Sequence, residues 1–216
     1  MSVKLVSISQ PVVEGLQTAE DLMVYCARVS NPSNQLNTAT GAKLLAYCIQ
    51  HGHWSVFETA SMTVEITTSR AIAAQILRHR SFSFQEFSQR YSEVLGFEEV
   101  ELRKQADKNR QSSTEVIEKG AFAEIVMRQA LAAAEKAYAG LIDMGVAREC
   151  ARMVLPLATS TTLYMTGSVR SWIHYLAQRL DEHTQKEHRL IAEQVQDIFS
   201  AQFPTVSQAL KEHGSR

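Results

Sequence analysis

Ser61 to Thr68 carry the plainest pattern in the chain, with Met62, Val64 and Ile66 alternating with Thr63, Glu65 and Thr67. Successive strand side chains point to opposite faces, so this alternation predicts a half-buried strand. Val3 to Ile8 alternates more loosely before Pro11 and predicts an edge or early strand. Elsewhere the apolar positions recur at helical spacing. Thr18, then Glu20 and Asp21, then Leu22, Val24, Tyr25 and Val29 predict a capped helix over 18–30 that Asn31-Pro32 ends. Leu44, Leu45, Tyr47, Cys48 and Ile49 predict another over 38–50, stopped at Gly52. Ile72, Ile76 and His79 share one side of a short helix over 70–79. Phe122, Ile125, Val126, Ala130, Ala133, Ala137, Tyr138 and Leu141 trace a long one over 114–144, broken by Gly145.

Later segments continue the mixture. A short helix over 147–155 halts before Pro156, and 157–166, rich in Thr and Tyr, predicts a strand. Helices over 168–180, 184–201 and 205–212 close the chain. Phe97 to Leu102 alternates once more, whereas 104–114 is polar enough for a surface loop. There is no regular βαβ rhythm and no GxGxxG, so the expectation is an α+β fold with a small, mostly antiparallel sheet flanked by helices, not a classical Rossmann fold. One domain over 1–216 is expected, with a variable surface loop at about 97–120.

Composition narrows the function. At 45% hydrophobic and 21% charged residues, with nine Gly and four Pro, the chain falls outside the collagenous and broadly disordered classes. Its 22 Lys and Arg against 23 Asp and Glu give a net charge of −1, so there is no global field to hold nucleic acid or a membrane, and any anion site must be local. Cys26, Cys48 and Cys150 are far apart and outside any CxxC, which fits reduced thiols buried as small hydrophobes. With no leader-like start and no apolar run of about 18 residues, the expectation is a cytoplasmic protein.

The densest chemistry lies in Arg78-His79-Arg80-Ser81-Phe82-Ser83-Phe84-Gln85-Glu86-Phe87-Ser88-Gln89-Arg90-Tyr91, which concentrates cations, hydroxyls and aromatics. In an extended chain Glu86, Ser88 and Arg90 project from one side, offering a carboxylate, a hydroxyl and a guanidinium while Phe87 faces away. The planar Arg fork matches phosphate oxygens, so a phosphorylated ligand is one reading. A solvated basic turn beside a strand is the other. His51 and His53 have no further Cys or His at ligand spacing, so no metal is assigned.

Arg78-His79-Arg80, seven residues and then Ser88 resembles the signature of the flavin-dependent thymidylate synthases, and Ser88-Gln89-Arg90-Tyr91-Ser92 continues it. His51-Gly52-His53-Trp54-Ser55-Val56-Phe57-Glu58, the Arg148 to Leu157 stretch, Ser168 to Tyr175 and the 179–189 helix are similar to further blocks of the family, in the same order. The resemblance implies reductive methylation of dUMP to dTMP. Methylenetetrahydrofolate gives the carbon and FAD, recharged by NADPH, gives the hydride, in homotetramers with active sites between subunits. It implies no cysteine nucleophile. Carried over by position, Gln75, Glu86, Ser88, Arg90 and Arg152 hold the nucleotide and Arg179 contacts the uracil. Ser30, Ser55, Glu58, Arg78, His79, Arg80, Ser168, Arg170, His174 and His183 surround FAD, and His53 and Tyr91 stand near the folate opening. Arg179, Ser88 and His53 make up the implied catalytic set.

Rival readings attach to several positions. Arg152 and Arg179 can pair with helix carboxylates, His174 can be a core histidine, His183 or His188 can lie on a polar face, and Glu58 can cap a helix. Trp54 and Trp172 read as packing. Where the family usually has Asn, this chain has Ser168, one hydroxyl in place of an amide. Phe82 and Phe84 replace the usual small or aliphatic spacer, as adenine contacts or interface residues. Against the enzyme stand a nucleotide-binding or nucleotide-hydrolysing protein, for which Glu86 and Glu93 are too sparse a Mg²⁺ site, and a nucleic-acid binder, which the net charge disfavours.

Overall fold

A computed structural model describes residues 1–93, 96–118 and 120–214. In chain order the elements are β1 (Ser2–Ile8), α1 (Ala19–Ala27), α2 (Gly41–Gln50), β2 (Ser61–Ser69), α3 (Arg70–Ile76), β3 (Ser83–Glu86), β4 (Arg103–Gln105), β5 (Ser113–Val116), α4 (Phe122–Asp143), α5 (Arg148–Ala151), β6 (Ser160–Ser168), α6 (Val169–Arg179), α7 (Lys186–Gln202) and α8 (Pro204–His213). Four strands form a sheet in the order β1-β2-β6-β3, and β4 pairs with β5 alone. This is the α+β architecture expected. Thr63 meets Thr166, Glu65 meets Tyr164 and Thr67 meets Thr162, so β2 and β6 run in opposite directions.

The chain divides into two compact units. One holds Met1, Thr67–Ile76 and Glu86–Leu163; the other holds Ser2–Ile66, Leu77–Gln85 and Tyr164–Arg216. In the second, the alternation read along β2 is realised: Met62, Val64 and Ile66 are fully buried. They join a core with Met23, Leu45, Phe57, Trp172, Tyr175, Val195, Phe199 and Phe203. Helix α8 packs on α2 and α7, and α7 packs on α6 and β1. Thr18 caps α1 through a reciprocal pair with Asp21, as its sequence predicts. Trp172 and Tyr175 bury large aromatic areas, and the Trp172 indole N–H donates to the Met62 carbonyl at 3.0 Å.

The first unit is smaller in its core. Ile72, Ala73 and Ile76 of α3 are buried, with Ala151, Leu163 and Tyr138. The backbone N–H groups of Arg70 and Ala71 reach the carbonyls of Thr159 and Leu157, which satisfies the first turn of α3.

Several boundaries differ from the sequence reading. Within 97–120 a two-stranded hairpin replaces a plain loop, Arg103 facing Val116 and Gln105 facing Ser113. The β-branched Thr114 and Val116 therefore belong to β5, and α4 begins at Phe122, after Gly120 at a φ of 84° breaks the chain. Helix α3 stops at Ile76, short of His79. Cys48 is buried, and burial pushes its thiol pKa up, but Cys150 is exposed rather than buried. Among the described residues no helix is long and apolar enough to cross a membrane.

Candidate active site

In the second unit a cavity of about 530 Å³ is lined by Trp54, Glu58, Ser81, Arg170, Ser171, Ile173, His174 and Ala177. Its floor is built where β6 hands over to α6. Ser168 caps α6, its hydroxyl accepting from the Ser171 N–H at 3.3 Å. The same hydroxyl donates to the Glu58 carboxylate at 2.7 Å, and Arg170 reaches the other Glu58 oxygen at 2.9 Å. Ser171 in turn donates to the Ser81 carbonyl at 3.1 Å and so fixes the turn that follows Arg80. Both cations of that turn, Arg78 and Arg80, are exposed and have no partner among the described residues.

Between those arginines the chain turns inward. His79 is 8% exposed, and its Nε2 accepts from the Nε–H of Arg179 at 2.9 Å. Burial, then the Arg179 and His174 charges, lower its pKa to about 4, so the ring is neutral and its proton sits on Nδ1. The edges of Tyr175, Phe82 and His188 surround it at centroid distances of 5.0, 6.2 and 6.3 Å. His188 is fully buried as well, with a pKa lowered to about 3 by burial, Arg179 and His79. Burial also pushes the Tyr175 hydroxyl well above the ordinary phenol range. Phe82 lies in the core, 4.7 Å from Trp172, where a Cβ on Gly167 would come within 2.4 Å of its ring.

In the first unit a second cavity of about 330 Å³ is lined by Ser88, Arg90, Tyr91, Ala147, Arg148 and Glu149. Arg90 pairs with Glu149 at 3.1 Å in an exposed contact, and Arg148 with Glu93 at 3.2 Å. Glu86 is held at 2.9 Å by Arg70 and at 3.0 Å by the Thr161 hydroxyl, while Arg70 also reaches the Phe87 carbonyl. Strand β3 ends at Glu86, and the N–H groups of Tyr91 and Ser92 fold back on the Ser88 carbonyl. The extended presentation of Glu86, Ser88 and Arg90 is therefore replaced by a strand end followed by a turn.

Comparisons with known proteins point to one family. A family model described as "Thymidylate synthase complementing protein" matches residues 11–205. A protein of Paramecium bursaria Chlorella virus 1, described as a probable flavin-dependent thymidylate synthase, is 49% identical over 97% of this chain and 99% of its own length. The flavin-dependent thymidylate synthase of a Synechocystis strain is 51% identical over 98% of this chain and 100% of its own. The chain belongs to the flavin-dependent thymidylate synthases. Among solved structures, the UMP/dUMP methylase PolB from Streptomyces cacaoi, bound with 5-Br dUMP, superposes with a TM-score of 0.82 at 29% identity, covering 100% of this chain and 96% of that one.

For a flavin-dependent thymidylate synthase the distribution of the motif residues is orderly. Ser30, Ser55, Glu58, Arg78, His79, Arg80, Ser168, Arg170, His174 and His183, the positions matched to the family's flavin contacts, all lie in the second unit. Gln75, Glu86, Ser88, Arg90 and Arg152 all lie in the first, and Arg179 lies in the second. Glu58, Arg170 and His174 line the larger cavity, with Ser168 bonded to Glu58, whereas Ser30 lines a separate cavity of about 400 Å³ beside Arg28. His183 is exposed, and His53 stands near Tyr47 at a ring distance of 5.8 Å. The His79 ring is buried against Arg179. His174 is exposed and bonded to Gln178, not buried in the core. Among the described residues the α6 cap is Ser168, and Glu58 accepts from Ser168 and Arg170. Phe82 fills the core rather than an adenine site. Arg70 and Thr161 hold Glu86 in the first unit and Ser171 holds the Ser81 turn in the second, yet nothing in sequence spacing joins Arg70 to Glu86 or Ser171 to Ser81. Only the three-residue step from Ser168 to Ser171 hinted at the cap.

Proposed function

We propose that this chain methylates dUMP to dTMP, with methylenetetrahydrofolate as carbon donor and NADPH as reductant, on bound FAD. The observation that carries this reading is the cavity built from Glu58, Ser81, Arg170 and His174 directly after the exposed Arg78 and Arg80. These residues fit the cofactor: Arg78 and Arg80, exposed and free of carboxylates just before the lining residue Ser81, suit a pyrophosphate, and Trp54, Ile173 and Ala177 supply apolar wall for a ring system. When bound, FAD supplies the hydride that the uracil C6 must receive.

The chain's own residues do the rest. Arg179 spends its Nε–H on His79 and keeps both Nη amino groups for charge that grows on the pyrimidine oxygens. Arg90 exchanges the exposed, solvent-screened Glu149 for a phosphate. Glu86 is clamped by Arg70 and Thr161, which fixes a carboxylate for the sugar. The Ser88 hydroxyl is exposed and available to the nucleotide. Burial raises the pKa of Cys48, which removes that thiol as a candidate nucleophile.

Self-association as a homotetramer belongs to the same proposal. Helix α4 has 22 residues of which Tyr138 alone is buried, and it exposes Phe122, Ile125 and Val126. Such an apolar stripe is a surface for another copy of the chain. We assign the cytoplasm as its compartment from the three free cysteines.

The test is FAD reconstitution of the purified protein, followed by titration with dUMP and, in parallel, UMP, since PolB is described as a methylase of both. The reading predicts a yellow protein whose flavin spectrum responds to dUMP, and NADPH oxidation that depends on dUMP. A protein that takes up no FAD contradicts it.

A further inference from the structure

The ring that the signature places between two exposed arginines faces the interior and holds another residue. We propose that His79 is a positioning residue for Arg179: its Nε2 anchors the Arg179 Nε–H and fixes the guanidinium with both Nη groups directed to the pyrimidine. The inference rests on the dUMP reading above.

Three observations carry it. The Nε to Nε2 distance is 2.9 Å, a good hydrogen bond, and among the described residues Arg179 makes no other hydrogen bond or ion pair. His79 cannot swing away, because Tyr175, Phe82 and His188 pack round its ring. Arg179 is the last residue of α6, so its backbone is set by the helix while its long side chain needs an outside anchor. An arginine that turns freely loses much of its value to a developing charge, whereas one held by its Nε presents an end-on fork. Burial of His79 keeps it neutral, the state in which Nε2 can accept.

The experiment uses FAD-loaded protein and reads dUMP affinity from the flavin spectrum. Four variants are compared: His79→Phe, which keeps a ring and removes the acceptor; His79→Gln, whose amide oxygen reaches about as far as Nε2; Arg179→Ala; and His79→Phe combined with Arg179→Ala. Loss of one charge-assisted contact weakens dUMP binding about 10- to 100-fold in His79→Phe. His79→Gln returns it to within about 10-fold of wild type, the remainder being imperfect geometry. In the Arg179→Ala background His79→Phe changes dUMP affinity less than about 2-fold, because the residue through which it acts is gone. A merely structural histidine would give equal losses in both backgrounds, and that result overturns the proposal, as does wild-type affinity in His79→Phe. Should His79→Phe not fold, His79→Asn replaces it, since its shorter amide falls short of the Arg179 Nε and the same loss is expected. A wild-type protein that binds FAD but does not respond to dUMP sinks the dUMP reading itself. A responsive wild type with an indifferent His79 sinks only the positioning role.

Discussion

Removing the Ser168 hydroxyl tests the hinge on which the larger cavity is built. Ser168→Ala deletes the acceptor that caps the Ser171 N–H and the donor that reaches Glu58 at 2.7 Å. Loss of an N-cap costs about 1 kcal/mol. The bond to Glu58 involves a carboxylate, but that side chain is 48% exposed, so water replaces part of it and about 1 kcal/mol is a fair share. The sum, about 2 kcal/mol, lowers the midpoint of thermal unfolding by about 4–8 °C in a chain of this size. Ser168→Asn restores the residue usual in the family; Asn caps as well as Ser and its amide can donate to Glu58, so its midpoint stays within about 2 °C of wild type. Melts followed by far-UV circular dichroism, with FAD retention read on the same samples, decide it. An Ala variant that melts with wild type refutes the two-role account of Ser168, and an Asn variant as unstable as Ala refutes the view that a donor and a cap are all the site requires.

Further outcomes follow from the same contacts. Gly167→Ala drives a methyl to within 2.4 Å of the buried Phe82 ring, and overpacking of about 1–3 kcal/mol should lower the melting midpoint by several degrees, with Phe82→Leu in the same chain recovering part of the loss. Acid weakens the second unit: the folded values of about 4 for His79 and about 3 for His188 lie below the ordinary 6.5, so the unfolded chain binds protons first, and stability intact above about pH 7 falls between about pH 6.5 and 3. For His79 alone the loss is on the order of 3 kcal/mol, and urea midpoints that do not change across that window would contradict its burial as a neutral ring. Arg90→Ala weakens dUMP and leaves FAD in place, while Arg78→Ala weakens FAD retention, each by about 1.5–3 kcal/mol; equal loss of both ligands in either variant would point to misfolding instead.

The elements with a strong period were readable without coordinates. Met62, Val64 and Ile66 had to share a face because a strand allows nothing else, and Thr18 with Asp21 announced the start of α1. Boundaries failed where local preference met tertiary pairing: Thr114 and Val116 were absorbed into a long helix, although Arg103 and Gln105 draw them into a hairpin. Candidate site residues came from several separated blocks matched by position to a family, and such a match says which residues occur together, not which way they point. Arg78 and Arg80 are exposed, while the His79 between them faces Arg179, a hundred residues on in sequence. Glu86 was seen as a ligand group, but the Arg70 and Thr161 contacts that hold it depend on chain segments that no local pattern links.

The most direct test of the whole account follows the carbon. Anaerobic incubation of the FAD-loaded protein with dUMP, NADPH and methylenetetrahydrofolate carrying ¹³C in its methylene group should yield dTMP with the label in its methyl group. NADPH oxidation without labelled dTMP would contradict the assignment, however well the protein held its flavin.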